Sequence, residues 1–384
     1  MSPETIPGWK DRILFTPGPL TTSRTVKQAM LRDVGSRDTE FINIVADIRR
    51  RLVECAGATT QDYTTIPIQG SGTFGVEGVI SSVVPPDGKL LLVANGAYGK
   101  RLVQIARVHR IAHNVIEVPE NQSPDPSSVE SALLEDPSIT TLAMVHCETT
   151  TGMINPVEAV GSISQKHGKR MIVDAMSSFG AVPLNVPAAG IDYIVSSANK
   201  CIEGVPGFSF AVCRKSSLEE TPGWARTLSL DLYAQWQGLE KTGQFRFTPA
   251  THSMLAFHQA LLELEMEGGV PARAERYRRN HAVLLMGMIQ LGFKPYLPPH
   301  QQGHIITSFR SPSHPRYDFE IFYRSLQDRG YVIYPGKVSD ADCFRIGHIG
   351  RIFESDTRDL LAAIRDVMAE MKMTLVPPAS ENND

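Results

Sequence analysis

Short apolar segments alternate with segments of helical periodicity from Thr64 to Cys213, and this alternation restricts the possible folds most strongly. The predicted strands are TTIPI before Gly70, Leu90–Ala94, Val115–Val118, Ile139–His146, Met171–Asp174, Tyr193–Ser196 and Phe208–Cys213. The predicted helices between them run through Val76–Ile80, Leu102–Val108, Ser127–Leu134 and Pro156–His167. Several strands are apolar on both faces, which is typical of a parallel sheet covered by helices on each side. We therefore predict an α/β fold with a mostly parallel sheet of seven strands.

The pattern changes after about Gly243, where long helices outnumber strands. Apolar spacing there predicts helices over Ser253–Glu267, Ala272–Leu291, Phe319–Arg329 and Glu354–Met371, and strands near Ile305–Arg310 and Tyr331–Pro335. Helices are also expected between Arg24 and Cys55. The predicted organisation is an N-terminal arm (1–17), a large cofactor-binding domain (18–268), a small α+β domain (269–376) and a disordered tail (377–384).

Charge and cysteine usage exclude several classes of protein. Lys plus Arg number 38 and Asp plus Glu 41, so the formal net charge of −3 predicts neither nucleic-acid binding nor attraction to an anionic membrane. No segment approaches the ~18 apolar residues of a membrane span, and the N-terminus lacks a secretory signal pattern. Five widely spaced cysteines without a C-x-x-C pair predict reduced thiols in a cytoplasmic protein without a metal site.

Polar residues suited to chemistry follow several predicted strands. Gln69–Thr73 is a glycine-rich turn that opens a helix, Asp174 ends a strand, and Asn199-Lys200 follows the next strand. Thr149 follows the strand Ile139–His146, and Tyr98 lies in a predicted loop. Because ligands of such sheets sit beyond the carboxyl ends of the strands, these side chains are expected to face one crevice. Taken singly they also fit an ordinary turn or, for Asp174, a helix cap.

One chemistry needs all of these groups together, namely catalysis by pyridoxal phosphate. An amine forms a Schiff base with the carbonyl of this cofactor, and a carboxylate pairs with its pyridinium nitrogen. An aromatic side chain stacks on the cofactor ring, while a glycine-rich helix start holds its phosphate. The order and spacing of the residues, rather than any one of them, favour pyridoxal phosphate as the cofactor.

Longer segments extend this interpretation over nearly the whole chain. They are LFTPGPLTTSRTVKQAML, QGSGTFGVE, NGAYGKR, MVHCETTTGMINP, IVDAMSSFGA, SSANKCIEGVPGF, SLDLYAQW, FRFTPATH and VIYPGKVSDADCFRIGHIG. Through them the chain resembles the class V aminotransferases of the fold-type I pyridoxal phosphate superfamily, and among these the 2-aminoethylphosphonate–pyruvate transaminases. The resemblance implies transfer of the amino group of 2-aminoethylphosphonate to pyruvate, giving phosphonoacetaldehyde and L-alanine in phosphonate catabolism. It also implies a homodimer with the active site at its interface.

The same resemblance implies a role for each matching residue. Lys200 would bind the cofactor covalently and move the proton, Asp174 would bind the pyridinium nitrogen, and Tyr98 would stack on the ring. Thr149 would donate a hydrogen bond near the ring oxygen or Asp174. The implied phosphate-binding residues are Ser71, Gly72, Thr73, Asn199 and, from the partner subunit, Thr248. The implied substrate-binding residues are Arg345, Gly18 and Arg37.

Two arginines bear on the substrate. A guanidinium forms two parallel bonds to a carboxylate or to phosphonate oxygens, so Arg345 could serve both the donor and the acceptor. Its apolar neighbours Phe344 and Ile346 predict burial. Many of the transaminases named above have Trp-Asp in the stretch where this chain has Gly35–Phe41, and this stretch, with Arg37, is closer to alanine–glyoxylate and serine–pyruvate transaminases. Arg37 therefore predicts either a second cation for the phosphonate or a shifted substrate.

Three alternatives stay open at this point. The chain could be another class V transaminase, acting on alanine, serine or glyoxylate. It could be a cysteine desulfurase-like lyase, for which Cys343 is the nearby candidate thiol, or a non-enzymatic binder that keeps the fold. His146 and His348 are interpreted as hydrogen-bonded neighbours of the site, because neither has metal-ligand spacing. A solvated helix face is predicted for Arg276, Arg278 and Arg279.

Overall fold

The computed structural model describes residues 11–335 and 341–376. Its strands are β1 (Ile13–Leu14), β2 (Tyr63–Gln69), β3 (Lys89–Ala94), β4 (Ala112–Glu117), β5 (Ile139–Val145), β6 (Cys147–Glu148), β7 (Met153–Ile154), β8 (Arg170–Asp174), β9 (Tyr193–Ser197), β10 (Phe208–Arg214), β11 (Ile306–Arg310), β12 (Tyr331–Val332), β13 (Tyr334–Pro335) and β14 (Cys343–Gly347). The tail predicted for 377–384 and most of the predicted arm lie outside the described residues.

Helices connect most of these strands. They are α1 (Arg24–Gln28), α2 (Thr39–Cys55), α3 (Gly72–Val83), α4 (Ala97–Val108), α5 (Pro126–Glu135), α6 (Val157–Lys166), α7 (Lys215–Glu219), α8 (Leu232–Thr242), α9 (Thr251–Glu267), α10 (Gly269–Gln290), α11 (Phe319–Asp328) and α12 (Glu354–Glu370). Within residues 11–335 and 341–376, no helix has both the length and the apolar character needed to span a bilayer.

Several helices begin directly after an aspartate whose side chain caps the first turn. The side chains of Asp125, Asp231 and Asp318 accept the backbone N–H groups that open α5, α8 and α11. Such a cap satisfies an N–H group that has no partner within the helix and contributes about 1 kcal/mol.

The boundary predicted at residue 268 falls at Gly268, where the chain passes from α9 to α10 with a φ of +107°. The division into a large and a small domain stays a prediction.

The central sheet has seven strands in the order β2-β10-β9-β8-β5-β3-β4. Only β10 runs antiparallel to its neighbours, so the predicted mostly parallel α/β sheet is confirmed. Helices cover both faces, and β3 shows the consequence: Leu91 and Val93 enter one apolar core, while Leu90 and Leu92 enter the other. The double burial explains the continuous apolar runs in the sequence.

A second sheet, in the order β11-β14-β13, is antiparallel and packs with α10, α11 and α12. Its core is aromatic. The centre of the Phe344 ring lies within about 6 Å of the ring centres of Phe293, Phe309 and Phe322. The N-terminal segment joins this part of the molecule, because β1 pairs in parallel with β12. Residues near the start of the chain therefore lie against its last third.

Two local predictions differ from the structure. Tyr98 lies in the first turn of α4 rather than in a loop, because the helix begins before the apolar periodicity that starts at Leu102. The strand predicted over Tyr331–Pro335 is divided into β12 and β13, because the first half pairs with β1 and the second with β14. The fully buried Ile333 lies between the two halves.

Candidate active site

The predicted site residues meet at the carboxyl edge of the central sheet. A cavity of about 200 Å³ is lined there by Gly18, Ser71–Thr73, Tyr98, Asp174 and Asn199-Lys200. These residues come from five separate segments of the chain, and the parallel strands β8 and β9 deliver Asp174 and Asn199-Lys200. The structure thus brings together most of the groups that the sequence suggested.

Lys200 follows β9, and its side chain faces the N-terminal segment. The amine donates hydrogen bonds to the carbonyl oxygens of Pro17 at 2.8 Å and Gly18 at 3.4 Å. Burial lowers the pKa of Lys200 to about 8, because the charged form loses its hydration. The neutral amine, which a nucleophilic lysine requires, is therefore much more populated near neutral pH than it is in an exposed lysine.

Asp174 ends β8 and is buried. One carboxylate oxygen accepts the backbone N–H of Met176 at 2.9 Å. Burial raises the pKa of Asp174 to about 6, although the Met176 hydrogen bond opposes that shift. A buried carboxylate that has lost much of its hydration is a strong partner for a cationic ring nitrogen.

The turn at Ser71–Thr73 opens α3, and it leaves amide groups available to an anion. The Ser71 side chain makes no capping hydrogen bond to the helix. A side chain at Gly72 would clash, because its Cβ would lie 2.2 Å from Met176 Sδ. Helix starts of this kind bind phosphate through their N–H groups and the helix dipole.

Arg101 lines the same cavity and was missed by the sequence reasoning. Its guanidinium donates to Thr73 Oγ1 at 3.2 Å and lies 4.8 Å from the centre of the Tyr98 ring. The available signal was its spacing, since a residue three positions after Tyr98 lies on the same face of α4. Arg101 adds a cation beside the turn at Ser71–Thr73.

Glu148 is a second residue that the sequence reasoning missed. Its buried carboxylate accepts the N–H groups of Tyr98 at 3.4 Å and Gly99 at 3.2 Å, and the hydroxyl of Thr150 at 2.6 Å. Burial raises the pKa of Glu148. The carboxylate thereby anchors the first turn of α4, which carries Tyr98. The sequence signal that could have identified Glu148 was its position between a buried strand and a run of threonines.

Arg345 lies in β14 and is only 8% exposed, as its apolar neighbours predicted. Its Nη1 donates to the carbonyl oxygen of Thr149 at 3.1 Å, and its guanidinium lies 4.8 Å from the centre of the Tyr334 ring. The Nε atom is buried and has no hydrogen-bond partner among the described residues. The Thr149 hydroxyl lies 2.7 Å from that of Ser177. As far as the described part of the chain goes, the Nε atom of Arg345 is therefore a donor that an anion could use.

Thr248 and Arg37 lie elsewhere. Both are exposed, and they line a separate cleft of about 350 Å³ that also contains Arg246. Neither residue lines the cavity of Lys200 within the same chain. The sequence had assigned Thr248 to the site of a partner subunit, and the structure places Arg37 beside it.

Other sequence predictions concern residues around the cavity. His146 accepts or donates a hydrogen bond at 2.9 Å to Ser178, and His348 pairs with Thr307 at 2.8 Å. Among the residues that the structure describes, no group of three or more His, Cys, Asp or Glu side chains could hold a metal ion. Cys343 lies in β14, and burial raises its pKa to about 11, so it is a thiol rather than a nucleophilic thiolate.

The solvated face predicted on α10 is wrong for one of its arginines. Arg276 is 5% exposed and bonds to Glu203 at 2.7 Å and Glu267 at 2.7 Å, whereas Arg278 and Arg279 are exposed. Local charge patterning could not identify Arg276 as buried, because Glu203 comes from a distant part of the chain.

Comparisons with known proteins agree with this geometry. A model of the family described as aminotransferase class-V matches residues 21–333. A Klebsiella pneumoniae protein named 2-aminoethylphosphonate–pyruvate transaminase is 51% identical over 94% of this chain and 98% of its own length. A Vibrio cholerae protein of the same name is 52% identical over 92% and 96%. Among solved structures, pyridoxamine-pyruvate aminotransferase from Mesorhizobium loti superposes with a TM-score of 0.87 at 24% identity, covering 97% of this chain and 95% of the other.

Proposed function

Since this chain belongs to the class-V aminotransferases, we propose that it moves the amino group of 2-aminoethylphosphonate to pyruvate, producing phosphonoacetaldehyde and L-alanine. The observation that carries the chemistry is that Lys200 and Asp174 line one cavity with the glycine-containing turn at Ser71–Thr73. The substrate assignment is supported by relatives of that name, about half identical over more than nine-tenths of the chain. The reaction would release the amino group of a phosphonate for catabolism.

The cofactor of this enzyme is pyridoxal phosphate, and the residues of the cavity fit it. When bound, this group supplies a carbonyl carbon that exchanges between amines and a ring that accepts electrons. Lys200 would hold its carbonyl end, Asp174 its ring nitrogen and Tyr98 the face of its ring. Ser71, Gly72, Thr73, Asn199 and Arg101 would hold its phosphate.

Lys200 is also the acid–base group of this mechanism. Its Nζ would take the proton from the carbon that carries the donor's amino group, and would return a proton when the acceptor is aminated. A pKa near 8 suits both directions, because neither the neutral nor the charged amine is strongly disfavoured near neutral pH. Asp174 would keep the ring nitrogen protonated by stabilising its positive charge.

Arg345 would hold the anionic end of each substrate in turn. A guanidinium can form paired hydrogen bonds with two oxygens of a phosphonate or of a carboxylate. The Nε atom, which has no partner among residues 11–335 and 341–376, and the low exposure of Arg345 support this role, because a buried donor gains most from a ligand that satisfies it. One residue could thus serve both half-reactions. We also assign Gly18 to substrate binding, because it lines the cavity and its lack of a side chain leaves room for the Lys200 side chain.

We further propose a homodimer in which each subunit completes the site of the other. Thr248 would reach the partner's cofactor phosphate, and Arg37, in the same cleft, would add a cation for the phosphonate. Exposed aromatic residues beside these positions support an interface. Phe74 follows the turn at Ser71–Thr73 and is 53% exposed, and Phe247 precedes Thr248 and is 48% exposed.

All five cysteines are free, which supports the expected cytoplasmic location.

The test is a spectral titration of the holoenzyme. Adding 2-aminoethylphosphonate should abolish the visible absorption band of the bound cofactor, and adding pyruvate should restore it. A band that disappears only with L-alanine or L-serine would replace the proposed substrate with that of an alanine–glyoxylate or serine–pyruvate transaminase. A protein that binds no cofactor would remove the enzyme assignment.

A further inference from the structure

A buried ionic cluster lies outside the cavity, at the start of α10. Arg273 is fully buried and Arg276 is 5% exposed, and both face Glu203 and Glu267. The hydroxyl of Tyr277, also fully buried, donates to Glu203 Oε1 at 2.6 Å. Two positive and two negative side chains therefore balance one another in a largely buried cluster, and such pairing is what makes buried charges tolerable.

The cluster holds the loop that immediately follows Lys200. Arg273 Nη1 donates to the carbonyl oxygen of Cys201 at 2.6 Å, and Arg276 Nη2 donates to Glu203 Oε1 at 2.7 Å. Glu203 has a φ of +67°, a conformation that residues other than glycine rarely adopt, and its N–H donates to the carbonyl oxygen of Lys200 at 2.7 Å. Contacts from α10 thus hold the tight turn that begins at Lys200, the residue that carries the catalytic amine.

The same side chains hold the segment that follows Arg345. Arg276 Nη1 donates to the carbonyl oxygens of Gly350 at 2.6 Å and Ile352 at 3.2 Å. The N–H of Gly350 donates to the Tyr277 hydroxyl at 3.0 Å. These residues continue directly from β14, which carries Arg345.

The Tyr277 hydroxyl is therefore a single atom between the two segments, since it donates to Glu203 on one side and accepts from Gly350 on the other. From this geometry we infer that Tyr277 and Arg276 are positioning residues that set the Lys200 amine relative to a substrate held by Arg345. The inference rests on the proposed function for the roles of Lys200 and Arg345. It adds a buried hydrogen-bonded link that keeps the Lys200 amine and the Arg345 guanidinium at a fixed distance from each other.

The consequence for kinetics follows from what each group does alone. With the link loosened, Arg345 still binds the anion and Lys200 still lines the cavity, so substrate affinity is largely retained. The distance between the amine and the reacting carbon becomes less well defined, and proton transfer depends steeply on that distance. Loss of the link should therefore lower kcat more than it raises KM.

Tyr277→Phe tests this inference, because it removes only the bridging oxygen and keeps the ring and the charge balance. The matched control is Tyr63→Phe: Tyr63 is equally buried, and its hydroxyl donates to the carbonyl oxygen of Ile191 at 2.9 Å, away from both segments. We expect Tyr277→Phe to lower kcat by about tenfold while KM for both substrates changes by less than about threefold. Tyr63→Phe should keep kcat and KM near the wild-type values.

Hydrogen exchange of the holoenzyme supplies a readout that does not depend on turnover. In Tyr277→Phe the amides of peptides covering residues 201–205 and 347–353 should both exchange faster, whereas in Tyr63→Phe neither peptide should change. The inference is overturned if Tyr277→Phe keeps kcat within about twofold of wild type, or if it alters exchange in only one of the two segments. A wild-type enzyme inactive with 2-aminoethylphosphonate and pyruvate would instead refute the proposed function, and the exchange result would still report on the link.

Discussion

The amine of Lys200 donates a hydrogen bond of 2.8 Å to the backbone carbonyl of Pro17, a residue near the start of the chain. Gly18 follows with a φ of +110°, and a Cβ there would lie 2.7 Å from Lys200 Cδ. The N-terminal segment is therefore a wall of the cavity, and its shape depends on the absence of a side chain at residue 18.

Gly18→Ala should lower cofactor occupancy, because the added methyl group overlaps the Lys200 side chain. The ratio of cofactor absorbance to protein absorbance measures this. Gly223→Ala is the control, since Gly223 also has a positive φ, of +79°, but has nothing within 4 Å of the added methyl group. Both variants should lose about 1–2 kcal/mol of unfolding free energy from backbone strain. Equal occupancy in the two variants would contradict the role of Gly18.

Lys200→Ala should lower kcat by about 10⁴-fold or more, because one group supplies both the covalent attachment and the proton transfer. The fold should persist, as circular dichroism would report. Lys169→Ala is a suitable control, because the Lys169 amine also donates to a proline carbonyl, that of Pro137 at 3.0 Å, but at an exposed site. Near-wild-type turnover in Lys200→Ala would sink the proposed mechanism.

The rate at which cofactor-free protein takes up pyridoxal phosphate should rise with pH and level off above a midpoint of about 8. Only the neutral amine is a nucleophile, and burial lowers the pKa of Lys200 to about 8. Below this pH the amine is protonated and uptake slows. Time courses of absorbance between pH 6 and pH 10 would give the midpoint. A rate that still increases steeply at the highest pH would mean that Lys200 titrates like an exposed lysine.

Arg345→Lys should raise KM for both 2-aminoethylphosphonate and pyruvate by about tenfold or more, because the charge is kept but the paired hydrogen bonds are lost. Arg310→Lys provides the comparison: Arg310 lies on the neighbouring strand and stacks on Tyr296 as Arg345 does on Tyr334, but it is exposed. If KM for either substrate stays unchanged in Arg345→Lys, one arginine does not serve both anions.

Mixing two impaired variants tests the proposed dimer. Lys200→Ala and Thr248→Ala should each have low activity alone. In a mixed dimer, one of the two sites combines an intact Lys200 with an intact Thr248 from the partner subunit. Random exchange of subunits should therefore restore roughly a quarter of the wild-type sites. No gain on mixing, with subunit exchange verified by mass spectrometry, would argue against a shared site.

Much of the fold was predictable, because strands buried on both faces must be apolar along their whole length and the helices between them keep one apolar face. Most of the predicted segments and the seven-stranded, mostly parallel sheet agree with the structure. The turn at Ser71–Thr73, Asp174 and Asn199-Lys200 could be assigned to one crevice for a related reason: parallel strands place their carboxyl ends at the same edge of the sheet.

What failed depended on partners distant in the sequence. Arg276 and Arg278 are two positions apart and look alike as charges, yet only Arg276 meets a buried acid, because the turn after Lys200 brings Glu203 to it. The start of α4 likewise depends on Glu148 of β6, which accepts the N–H groups of Tyr98 and Gly99 in the first turn of that helix.

Local periodicity was enough to predict the order of most strands and helices, and short motifs were enough to indicate the family and the candidate site residues Lys200 and Asp174. Tertiary structure alone decided which charges are buried, which side chains support Lys200 and Arg345 from outside the cavity, and that Arg37 and Thr248 share a cleft apart from it. The physical reason is that burial, charge pairing and hydrogen bonding depend on distances in space, and the contacts that set them here join residues far apart along the chain.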